Sequence, residues 1–146
     1  MDRRITLALG GLLYLMVVFS VPVKASCPSA PLESHFSGST AIFVGRAIAQ
    51  QVVSATGGGN ERVTETTFEV EDRWKGAAEP TVRVQTCGWT VGNDTVTCSS
   101  SFQFAIGEEY VVFAIGQPLA TSSCQPNARL DRAEKTLQWL SGKRRN

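Results

Sequence analysis

Four cysteines, Cys27, Cys87, Cys98 and Cys124, are the residues of this chain best equipped for chemistry. A thiolate can hold zinc, act as a nucleophile beside a base, or close a disulfide. No two of the four form a C-x-x-C and the one histidine is His35, so a zinc site lacks its usual spacing. His35 as general base would need a nucleophile and an orienting carboxylate, and no recognisable spacing marks either; a surface or helix-packing role is the expectation. Glu65, Glu69 and Glu71 resemble a metal or acid–base set, but they fall on the outward side of an alternating strand, where a solvated face accounts for them. Gly57-Gly58-Gly59 lacks the Lys-Ser/Thr of a phosphate loop and reads as a hairpin turn. Asn93-Asp94-Thr95 fits a glycosylation acceptor. No catalytic residue, metal site or cofactor is expected.

The start of the chain decides among the cysteine chemistries. Asp2-Arg3-Arg4 is a short basic opening, Leu7 to Val21 is almost wholly apolar, and Val23-Lys24-Ala25 offers small residues to a signal peptidase. The apolar run of about 15 residues is shorter than the roughly 20 a spanning helix needs, and Pro22 closes it. Arg3-Arg4 fits a twin-arginine signal only loosely, and Lys24 poorly suits a lipoprotein site at Cys27. Residues 1–25 are therefore expected to be a cleaved signal peptide and 26–146 a single exported domain, secreted or periplasmic, with no membrane span. In an oxidising compartment the cysteines become disulfides. Four allow three pairings.

Removing the leader takes three basic residues and one acidic one, so the net charge moves from +1 to −1. Neither nucleic acid nor an anionic membrane is suggested as partner. Lys143-Arg144-Arg145 is a basic tail, read as solvated. About 120 residues remain, one domain with a real core.

These residues must be positioned by strands. Ala41 to Val53 is β-rich, with Gly45 where the strand can bend. Thr64 to Trp74 alternates, Phe68, Val70 and Trp74 facing one way. Thr81 to Thr86, Tyr110 to Ile115 and Leu119 to Ser123 complete five strands, and a polar loop from Gly88 to Ser101 carries Cys98. A short helix is expected over Pro31 to Phe36. Leu130, Ala133, Leu137 and Leu140 recur at helical spacing before Gly142. The fold class is all-β with flanking helices, a five-stranded OB-fold-like barrel with a short N-terminal and a C-terminal helix, because an open sheet would expose long edges. Ile42, Val44, Phe68, Val70, Trp74, Val82, Val84, Tyr110, Val112 and Leu137 should form the core.

Five pieces in order carry a resemblance. They are Cys27-x-x-x-Pro31, Ile42-Phe43-Val44-Gly45-Arg46-Ala47, Phe68-x-Val70-x-x-x-Trp74-Lys75-Gly76, Gly107-Glu108-x-Tyr110-Val111-Val112-Phe113-Ala114 and Leu119-x-Thr121-Ser122-x-Cys124. Together they resemble a compact netrin-like module, the inhibitory domain of the tissue inhibitors of metalloproteinases, over Ser26 to about Leu140. The resemblance implies an OB barrel, Cys27–Cys124 and Cys87–Cys98 disulfides, and a non-enzymatic role in binding a protein, a zinc endopeptidase being the best-known partner. It also implies a partner-binding edge made of Ser26, Cys27 and Pro28, Trp89 of the long loop, and Leu119, Thr121 and Ser122. In that family the amine and carbonyl of an N-terminal cysteine chelate the protease zinc. Here the matching position is Ala25, which falls within the leader, so any such inhibition should be weak. The alternative is an accessory envelope or extracellular protein whose barrel binds an unrelated peptide, glycan or surface partner.

Overall fold

β-Branched residues recur along two runs long enough to make one extended ribbon, and they do so in a computed structural model that describes residues 27–55 and 61–143. The expected leader, Ser26 and the Gly57–Gly59 turn lie outside the described residues. Strand β1 (Ala41–Ser54) pairs antiparallel with β2 (Arg62–Lys75). The outer side of β2 carries β3 (Thr81–Cys87). Two short strands, β4 (Trp89–Val91) and β5 (Asp94–Val96), make a separate hairpin inside what was expected to be plain loop. The first part of β1, Ala41 to Arg46, also pairs with β6 (Glu109–Ala114), which in turn pairs with β7 (Ala128–Arg129). Helix α1 (Leu32–Gly38) precedes the sheet, and a 3-10 turn (Leu130–Arg132) leads into α2 (Glu134–Lys143).

The result is mostly β with two helices, one short and one C-terminal. The main sheet is an open ladder in the order β3-β2-β1-β6-β7, where a closed barrel was expected. The expected strand Leu119–Ser123 shrinks to isolated bridges. Ala120 exchanges both backbone hydrogen bonds with Ile115, and Gln85 donates to Leu119 and accepts from Thr121. Pro118 brings no N–H to a ladder, and the chain turns again by Gln125, so the pairing stops there.

The core has two layers because β1 and β6 are buried on both faces. Phe43, Ala47, Phe68, Val84, Tyr110 and Val112 meet on one face, where Phe68 lies edge-on to Phe43, Phe104 and Tyr110. Ile42, Val44, Val111 and Phe113 point to the other, beneath Ala133 and Leu140. That explains why Ala41–Val44 and Tyr110–Ala114 read as unbroken apolar runs rather than alternating ones. Leu137, Val70 and Trp74 are only half-buried. The expected common facing of Phe68, Val70 and Trp74 is also corrected. Opposite β1, the register skips Glu71 and Trp74, two bulges that break the period of two, and Trp74 packs with the second layer.

The Trp-Lys-Gly run is a structural joint. Trp74 packs on the helix-covered layer, and the Lys75 ammonium donates to the carbonyls of Phe36 and Ser37 at 3.1 and 3.0 Å, closing the C-terminal end of α1. Gly76 sits at φ 54°, where a Cβ would lie 2.5 Å from the Thr40 carbonyl oxygen. Gly76→Ala is expected to cost about 1–3 kcal/mol from the backbone conformation alone, read as a lowered urea midpoint. Gly45 is equally committed: a Cβ there would meet the Glu69 carbonyl oxygen at 2.8 Å, so glycine lets β1 pass β2 at the bulge.

Candidate functional site

The two disulfides are joined by one short backbone tie. Cys27 is joined to Cys124, 97 residues away, with Cα atoms 5.1 Å apart. Cys87 closes on Cys98 across 11 residues, Cα atoms 5.8 Å apart. These are the pairs the resemblance implies. Between them, the Ser123 N–H donates to the Ser100 carbonyl at 2.8 Å, tying the segment before Cys124 to the segment after Cys98. The Ser101 hydroxyl donates to the Cys87 carbonyl at 2.6 Å, holding the loop against the end of β3. Neighbouring backbone bonds from Gln85 to Leu119 and from Thr121 to Gln85 fix residues 119–123, a strap across the sheet, beside the same strand.

The expected edge residues divide by exposure. Cys27 and Pro28 are exposed, and Ser26 lies outside the described residues. Leu119 is half-buried against the first core layer, with its carbonyl spent on Gln85. Ser122 is half-buried and its hydroxyl accepts from the Cys124 N–H at 3.2 Å. Thr121 is 7% exposed and cannot present its side chain to a partner. Its hydroxyl donates to the Phe113 carbonyl at 2.7 Å and accepts from the Asn127 side-chain amide at 2.7 Å. Trp89 is not a free-standing loop aromatic either. It begins β4, is half-buried, and has the Arg62 guanidinium 5.3 Å from its ring centroid.

Sequence reasoning missed Asn127. Its amide oxygen accepts from the Phe113 N–H at 2.8 Å, and its amide N–H groups donate to Thr121 Oγ1 and the Ser122 carbonyl. One side chain thereby stitches β6 to the strap and to the residues before Cys124. An Asn following a proline gives no signal of this in sequence, where it reads as a turn. Thr121→Val is expected to cost about 1–3 kcal/mol, because Asn127 and Phe113 lose a buried partner. Equilibrium unfolding checks this, and a neutral result would show that the strap is not held from inside.

The other sequence candidates resolve into scaffolding. His35 shares a hydrogen bond between Nδ1 and Gln125 Oε1 at 3.1 Å, which docks α1 beside Cys124. Glu65 is half-buried rather than solvated, and accepts from the side-chain amides of Gln51 and Gln85 at 3.0 and 3.2 Å. Its partners on neighbouring strands draw it inward. Glu71 and Glu69 are exposed, Glu71 in an ion pair with Arg46, which also binds Glu109. Trp139 packs edge-on to Phe36 at 5.7 Å. Among the described residues no group of three His, Cys, Asp or Glu side chains is placed to hold a metal ion. Among them, too, no helix is long and apolar enough to cross a membrane.

No known family model matches the chain, and no curated protein matches it at a significant level.

Proposed function

We propose that this chain is an exported, non-enzymatic protein-binding module of the netrin-like type, and that its disulfide-tied end faces the partner. The observation that carries this is the Cys27–Cys124 bridge. It fastens an exposed segment, Cys27 and Pro28, beside the strap before Cys124, while the Ser100–Ser123 bond brings the Cys87–Cys98 loop to the same end. Rigid presentation of a short exposed segment lowers the ordering cost of association. The barrel form of the reading draws support from Ala120, which bridges the end of β6 on one side while its neighbours bond β3 on the other.

Within that reading, inhibition of zinc endopeptidases is weak. Chelation needs a free α-amine and a carbonyl held rigidly at the open coordination position of a catalytic zinc. Cleavage after Ala25 would leave Ser26 as the first residue, one position outside the bridge. Mass spectrometry of the exported protein tests the leader. For the surface, a photo-crosslinking residue at Pro28 should capture a partner in the native extracytoplasmic fraction, whereas the same residue at exposed Glu134 on α2 should not. Capture at Glu134 alone would place the partner on the helix side and overturn the proposal.

A further inference from the structure

A second feature adjoins the disulfide edge and shares the Cys87–Cys98 loop with it: a cleft of about 170 Å³ between the β4–β5 hairpin and the β1–β2 ribbon. None of its lining residues is charged. Hydroxyls from Thr64, Thr86, Thr97 and Ser101 and amides from Gln50 and Gln103 line it, with Trp89 and Phe102 as aromatic walls. The volume is that of about six waters at ~30 Å³ each, below the roughly 300–1,000 Å³ of drug-sized sites. One small ring is the scale of ligand it admits.

The hydrogen-bond directions narrow the chemistry. Thr64 Oγ1 has given its proton to the Gly88 carbonyl at 2.7 Å, and Ser101 Oγ to the Cys87 carbonyl at 2.6 Å. Gln50 Nε2 donates to Thr66 Oγ1 at 3.1 Å and to the Phe104 carbonyl at 2.8 Å, so both its protons are spent. What these three side chains retain is acceptor capacity. An anion would find those groups repulsive. A cation would find no carboxylate in the lining, and would meet the Arg62 guanidinium already over Trp89. A peptide offers one N–H per residue but brings a carbonyl that demands a donor in return. A sugar hydroxyl donates and accepts through the same oxygen, and the C–H face of a pyranose can pack against an aromatic wall. The walls are also pre-set, since the Cys87–Cys98 bridge and the Ser101 bond hold one side in place.

We propose that this cleft binds a neutral pyranoside, such as the terminal sugar of a glycan. The assignment rests on the cleft alone and does not depend on the protein-binding role of the disulfide edge. The test is a ¹⁵N NMR titration of the folded exported domain with the methyl pyranosides of glucose, galactose, mannose and N-acetylglucosamine, each into the millimolar range. Saturable shifts of the Gly88, Trp89 and Ser101 amides and the Trp89 indole N–H are expected with at least one sugar. Trp89→Ala should weaken that binding by about tenfold or more. Gln103→Ala, at an exposed position, should weaken it with an unchanged fold, as judged by the remaining spectrum. Absence of saturable shifts with every sugar would overturn the proposal. So would equal binding in both variants, or saturation of the same resonances by a blocked neutral tetrapeptide but by no sugar.

Discussion

Phe68→Ala is expected to destabilise the domain by about 3–5 kcal/mol, the range for removing a fully buried aromatic side chain. Phe68 has no exposed surface and stands at the centre of the first core layer. Its ring is edge-on to Phe104 at 4.8 Å, to Phe43 at 5.6 Å and to Tyr110 at 6.5 Å. Truncation removes three aromatic contacts and leaves a hole that β-strand neighbours on both sides cannot collapse into. Urea unfolding should show a lower midpoint with little change in slope. Trp74→Ala should cost less, because Trp74 is half-buried at a bulge and packs on the second layer. If Trp74→Ala proved the more damaging of the two, the division of the core into two layers would be wrong.

Removing the Cys27–Cys124 bridge should cost more than removing Cys87–Cys98. The first closes 97 residues and the second 11. In the chain-entropy model those closures stabilise by about 4.7 and about 3 kcal/mol, mainly by restricting the unfolded chain. Paired Cys→Ala variants of each bridge, compared by equilibrium unfolding, check the order. A larger loss from the short bridge would mean that the cleft wall it holds carries more native-state energy than the chain-entropy model allows. Losing the long bridge should also release Cys27 and Pro28 from the sheet end, so crosslinking from position 28 should fall.

Element positions were legible where the local pattern was plain: Thr81–Thr86 alternates, the stripe Leu130, Ala133, Leu137, Leu140 keeps helical spacing, and Tyr110–Ile115 is an unbroken apolar run between turns. What the pattern hid was the number of buried faces. Ala41–Val44 has no polar alternate because α2 and the 3-10 turn cover the side that solvent would otherwise reach. The facing of Trp74 was illegible for a different reason. A bulge adds a residue without changing composition, so nothing in Val70–Lys75 announces that the phase resets. At the sheet end, the cysteine pairs were foreseeable only through resemblance, since spacing alone leaves three pairings open. Thr121 looked like an edge residue because threonine suits a surface; its burial is set by Asn127 and Phe113, partners 6 and 8 residues distant. The β4–β5 hairpin was masked by polar composition, its turn being Gly92-Asn93 between strands of three residues.

A disulfide-tied end that binds protein without the tethered chelator of strong zinc-directed inhibitors has a measurable consequence. It is read by titrating the mature protein, with its α-amine free and acetylated, against a panel of zinc endopeptidases. Weak inhibition at most, little changed by acetylation, is the predicted result, since an amine outside the bridge must be ordered on binding. Nanomolar inhibition abolished by acetylation would contradict it.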